Sequence, residues 1–169
     1  MGWTATRYAD TPSLEIAIWV DAPPERVWSE ISDIEAMASI STELQRVEWL
    51  DGATGPAEGA LFVGYNSHPL VGEWQTTSRI IAYARPEVIA WDVIGDNQVP
   101  ATRWRFTLEP SEGGTSLRQW VQVGPGTGGL SATIEQEPDK EEEVMSYRLR
   151  EIEGGMNSTL AEVKRRSEK

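Results

Sequence analysis

Apolar residues recur along the chain at a period of two, then of three and four, then of two through the middle, and finally of three and four to the end. In residues 14–21, Leu14, Ile16, Ile18 and Val20 take every second position, the mark of a strand buried on one face. Pro23 and Pro24 stop it and open a helix, because proline suits a first turn whose N–H groups lack intrahelical partners. Across residues 25–37, Val27, Trp28, Ile31, Ile34 and Met37 follow helical spacing, and Ser32 and Asp33 predict a break into a second short helix. Trp28 is expected to pin the first helix to the sheet.

Six strand-like runs follow, at residues 45–51, 60–68, 72–84, 87–94, 102–109 and 115–123, separated by stretches rich in Gly, Pro, Asp and Asn. Linkers this short predict antiparallel neighbours, since a parallel pair needs a crossover of about a dozen residues. Helix resumes near Pro138 and Asp139, where Met145, Leu149, Ile152, Met156, Leu160 and Val163 form one apolar stripe. Gly154 and Gly155 interrupt it at about 1 kcal/mol each relative to alanine, and read as a close-packing point or a kink. The pattern predicts a single α+β domain over residues 1–169: two short helices after strand 1, and a curved antiparallel sheet of about seven strands wrapped around a long C-terminal helix. Such a sheet can enclose a pocket. The glycine-rich segment 124–133 before that helix is expected to be mobile and to gate it.

Composition narrows the chemistry. The absence of cysteine excludes disulfides, thiol nucleophiles and thiolate metal sites, and a single histidine, His68, argues against a histidine-rich metal centre; no metal or cofactor is expected. A net charge of -12 argues against nucleic acid. Six acids against one lysine in residues 135–143 read as a solvated helix start. No run is apolar enough for a signal peptide or a membrane span, so a cytoplasmic protein without membrane insertion is the expectation, as a monomer or a homodimer.

The order of these pieces carries a resemblance. Residues 21–28 (DAPPERVW) with Ile31 and Asp33, 59–66 (GALFVGYN), 74–80, 88–93, 104–109 (WRFTLE) with the turn at 110–115, and 148–160 (RLREIEGGMNSTL) together resemble the START/Bet v 1-like superfamily. Within it, the chain is similar to the bacterial SRPBCC group of polyketide cyclases/dehydrases and lipid-transport proteins, over residues 12–166. The resemblance implies a helix-grip fold and a small hydrophobic ligand, but not which activity, because one fold hosts transporters, cyclases, receptors and co-chaperones.

Alternation sorts the strands into faces: Phe62, Gly64, Asn66 and His68 share one, as do Trp74, Thr76, Ser78 and Ile80, then Ile89, Trp91 and Val93, then Thr102, Trp104, Phe106 and Leu108. The resemblance turns the Phe62 face toward a cavity, where Gly64 would leave room. Candidate ligand-binding residues are Trp49, Phe62, Asn66, His68, Trp74, Trp91 and Trp104 on the sheet, with Leu149, Ile152 and Met156 on the final helix. Arg103 and Arg105 should face solvent; Arg148 is placed to guard the pocket mouth or to pair with the acidic run. No Ser-His-Asp grouping, phosphate loop or dinucleotide motif is present, and no catalytic residue is identified. A carrier or binding protein for a hydrophobic or aromatic ligand ranks first, a polyketide cyclase/aromatase/dehydrase-type enzyme second, and a co-chaperone module third.

Overall fold

The alternation of Leu14, Ile16, Ile18 and Val20 places them on the inner side of strand β1 (Ser13–Val20), with Leu14 and Val20 fully buried. The structure, a computed structural model, describes residues 2–169. After β1, Pro24 opens α1 (Pro24–Ile31), and Ser32 ends it where the chain turns. Asp33 Oδ1 then accepts the Ala36 N–H at 3.0 Å, which starts a short 3-10 turn at Ala36–Ser39, the predicted second helix. Strands β2 (Leu44–Trp49), β3 (Leu61–His68), β4 (Gly72–Ala84), β5 (Val88–Ile94), β6 (Pro100–Ser111) and β7 (Gly114–Val123) follow. All seven pair antiparallel in the order β1-β7-β6-β5-β4-β3-β2, so the first strand closes onto the last.

The register unites the predicted faces. Trp49 lies opposite Phe62, Phe62 opposite Ser78, Ile80 opposite Trp91, Trp91 opposite Trp104, and Phe106 opposite Gln119. This inner face packs on α1 and on the long helix α3 (Glu141–Ser167) in two clusters. In one, Val27, Trp28 and Ile31 of α1 meet Phe62, Ile80, Ile89, Phe106, Leu117, Leu160 and Val163. In the other, Met145, Leu149 and Met156 of α3 meet Tyr8, Leu14, Val121 and Val123. Trp28 does pin α1 down, its ring 5.5 Å from that of Tyr83 on β4. Each such fully buried side chain contributes about 1.5–3 kcal/mol.

Three expectations need correction. Residues 124–133 are not loop throughout, because α2 (Gly129–Gln136) begins within them, started by Ser131, whose hydroxyl accepts the Gly128 N–H at 2.8 Å and donates to the Gly128 carbonyl at 2.9 Å. The glycines ahead of α2 serve close approach: Gly126 donates to the Pro100 carbonyl at 2.9 Å and accepts from the Tyr8 hydroxyl, and a Cβ there would strike the backbone of Val99 and Pro100. Finally, α3 runs unbroken through Gly154 and Gly155, and a Cβ on either would meet nothing within 4 Å, so this pair is not a close-packing point.

Candidate functional site

At the far end of β3 the inner face stops being a sealed core. Phe62, Ser78, Ile80 and Phe106 are buried, whereas Asn66, Trp74 and Thr76, nearer the β3–β4 turn, are half-exposed. A groove of about 540 Å³ opens at the ends of β2, β3 and β4, where Asn66 and Trp74, neighbours across the strands on the inner face, meet Tyr65, Glu73 and Gln75 of the outer face, with Gln45 and Arg46 at the β2 bulge. A second cavity of about 290 Å³ lies between the end of α1 and Trp49, bounded by Ile34, Pro56 and Tyr83.

The candidate ligand residues fall into separate groups. Asn66 and Trp74 line the larger groove, and Trp49 lines the smaller one, where its Nε1 donates to Glu35 at 2.7 Å. Phe62 and Trp91 join Trp49 and Phe106 in a ladder of rings with centroids 5.5, 6.3 and 6.2 Å apart, interlocked as packed core. Trp104 and Ile152 lie half-buried against the cluster that holds Leu149 and Met156. The room expected beside Gly64 is taken by Leu44, whose Cδ1 would lie 3.1 Å from an added Cβ. A Gly64→Ala substitution should therefore cost only about 1 kcal/mol or less, as a flexible leucine tip gives way, measured by urea unfolding.

His68, two residues along β3 from Asn66, reaches across to α3. Its Nδ1 accepts the Leu70 backbone N–H at 3.0 Å, so the ring proton sits on Nε2, which donates to Glu151 Oε2 at 2.6 Å. Arg148, one turn earlier on α3, donates to both oxygens of Glu43 at 2.6 and 3.0 Å and to Glu151 Oε1 at 3.3 Å. It pairs with Glu43, ahead of β2, rather than with the acidic run at 135–143. Burial pushes the Glu151 carboxyl up, but the hydrogen bonds from His68 and Arg148 outweigh it and hold it below the usual glutamate value. Burial likewise opposes the Arg148 charge, and the two carboxylates reverse that and raise it.

One nitrogen of His68 and one oxygen each of Glu43 and Glu151 lie within 4.8 Å of one another, a spacing that suits metal ligands. The hydrogen-bond pattern argues for a proton-held network instead. A metal on Nε2 would force the ring proton onto Nδ1, against the Leu70 N–H, and would compete with the guanidinium already on Glu43.

Two features escaped the sequence reading. Glu43 and Glu151 were not singled out, and neither was Gln119, an amide on the inner face of β7 that is 6% exposed and whose Oε1 has no hydrogen-bond partner. On the outer face Arg105 stacks over Trp120 at 4.5 Å and Arg103 lies 3.5 Å from Asp92, as their alternation implied. Burial raises the Asp92 carboxyl, and Arg103 and Arg79 oppose the rise.

Solved structures share this architecture. The polyketide-cyclase-like protein Cgl2372 of Corynebacterium glutamicum is 28% identical, with a TM-score of 0.65 over 90% of this chain and 89% of its own. The Zhui aromatase/cyclase of Streptomyces sp. R1128 is 18% identical, with a TM-score of 0.64 over 92% of this chain and 95% of its own. The di-domain aromatase/cyclase StfQ of the steffimycin pathway is 14% identical, with a TM-score of 0.70 over 92% of this chain but 50% of its own. At these last two identities the likeness is one of fold. No curated protein sequence matches the chain. No helix among the described residues is long and apolar enough to cross a membrane. The profile of the family described as polyketide cyclase/dehydrase and lipid transport matches residues 11–137, three-quarters of the chain, and the protein belongs to that family.

Proposed function

We propose that the protein binds a small, largely apolar or aromatic molecule where the β3–β4 corner meets α3, and that it carries or presents this ligand rather than transforming it. Family membership supports a ligand-binding or cyclase role. The observation that favours binding is the commitment of His68. Both nitrogens of the chain's single imidazole are engaged, one by the Leu70 N–H and one by Glu151, so no free ring lone pair faces the groove to take a substrate proton. Asn66 and Trp74 offer an amide and an indole face for orientation, the usual mixture of a few polar groups in an apolar wall.

The cyclase reading has one observation in its favour, the Glu151 carboxylate, each of whose oxygens spends one acceptor position, on Arg148 and on His68, and keeps another. Mass spectrometry of the protein as purified, followed by return of the released molecule to fresh protein, separates the two. A bound apolar compound recovered unchanged is the expected result. A His68→Gln variant, whose amide N–H mimics Nε2–H, should then hold it within about threefold of the native affinity. Conversion of the compound, slowed about a hundredfold or more in His68→Gln, would establish acid–base catalysis instead.

A further inference from the structure

The outer face of the sheet, away from α1 and α3, carries a charge at odds with the rest of the chain. Register places Arg79 of β4, Asp92 of β5 and Arg103 of β6 side by side in one row across three strands. In the next row Arg105 of β6 lies opposite Trp120 of β7 and stacks over its ring at 4.5 Å, and Arg118 follows on β7. Arg79 and Arg118 are exposed, and the Arg103 side chain keeps 43% of its surface in water. Glu73 and Glu109, on the same face, stand apart at the ends of β4 and β6, beside the turns.

Three of these arginines have donors that nothing engages. Elsewhere guanidiniums meet carboxylates: Arg26 donates to Glu30 at 2.8 Å, Arg85 to Glu25 at 2.9 Å and Arg166 to Glu162 at 2.9 Å, and on this face Arg118 has Glu15 at 3.2 Å. Arg79, Arg103 and Arg105 donate no hydrogen bond to any described residue. Arg103 stands 3.5 Å from Asp92, whose buried Oδ1 is left without a hydrogen bond between two cations. In a chain of 27 acidic and 15 basic residues, neighbouring guanidiniums without a bonded carboxylate are not explained by a shortage of acids. A guanidinium is a planar fork that grips a carboxylate through two bonds, and arginine and tryptophan dominate the energetics of protein interfaces.

We propose that this face docks an acidic segment of another protein, independently of the ligand site. Arg103 and Arg105 are about 7 Å apart along β6, and Arg79 lies two strands, about 10 Å, from Arg103. That spread is too wide for one small anion and suits carboxylates distributed over a protein surface. A phosphate backbone fits less well, because Asp92 in the middle of the row and a net charge of -12 both repel a continuous line of anions. A protein segment can set a carboxylate against each arginine and an amide or hydroxyl against Asp92.

A labelled peptide of alternating glutamate and serine tests this by fluorescence anisotropy at low salt. It is expected to bind, to lose about tenfold or more in affinity as salt rises from about 0.05 M to about 0.5 M, and to lose about tenfold in Arg103→Gln/Arg105→Gln. Arg85→Gln/Arg150→Gln, which removes the same charge from exposed positions elsewhere, should change the affinity by less than about twofold. Arg79→Glu, an exposed reversal, gives the same reading should the first double variant unfold. Absence of peptide binding, or equal losses in the two double variants, overturns the inference. An oligonucleotide of equal charge that binds more tightly, and loses affinity only in Arg103→Gln/Arg105→Gln, overturns it in favour of nucleic acid. Self-association in sedimentation that the same variant abolishes would overturn it too, by assigning the face to a second copy of this chain.

Discussion

Replacing Phe106 with alanine is expected to destabilise the protein by about 3–5 kcal/mol, the largest effect of any single truncation considered. Its ring is fully buried at the end of the aromatic ladder, 6.2 Å from Trp91, and belongs to the cluster that also holds Trp28 and Ile31 of α1 and Leu160 of α3. Removing it opens a void bounded by strands on one side and two helices on the other, which cannot all close in together. In urea the midpoint should fall by roughly 1–2 M with an unchanged slope, at about 2–3 kcal/mol/M. A loss below about 1 kcal/mol would mean that the neighbouring Trp91 rotates into the space and that the ladder is looser than its ring spacing indicates.

The same ladder explains why the fold was legible and the site was not. A strand buried on one face imposes a period of two, and a slip of one residue would turn Phe62, Ile80 and Phe106 out to water, so pattern and register are tied together. Short connections did the rest by making consecutive strands from β2 to β7 antiparallel neighbours. The helix α2 stayed hidden because it offers only Leu130 and Ile134 as half-buried apolar positions, behind four glycines that read as a flexible joint.

The polar network was beyond reach for a different reason. His68 and Glu151 are 83 residues apart, and Glu43 and Arg148 are 105 apart. Only the position of α3 across the sheet brings them together, and nothing in the local spacing announces such a pair. Arg148 and Glu151, at i and i+3 on one helix, were the visible half. Gln119 was visible too, a lone amide between Leu117 and Val121 on an apolar face, but only the structure shows that its oxygen is left without a partner.

Arg148→Met should cost about 2 kcal/mol at neutral pH and reverse the sign of the acid response. The figure lies below the 3–5 kcal/mol typical of breaking a fully buried pair, because these side chains keep about a quarter of their surface in water. In the native protein, Glu151 has a folded pKa below its unfolded one, so its contribution to stability is complete above the ordinary glutamate range and is lost as pH falls through the lowered value. Methionine fills the space of the arginine stem but leaves Glu43 and Glu151 facing each other without a cation. Two carboxylates so placed favour the protonated form, their folded pKa values rise above the unfolded ones, and the folded state then binds the extra proton. Stability of the variant should accordingly increase as pH is lowered from about 7 to about 5, where the native protein changes little. Urea unfolding of both proteins at several pH values reads this directly. Parallel profiles, offset by a constant amount, would show that Arg148 contributes through packing of its stem alone, and that the two carboxylates find separate paths to water once it is gone.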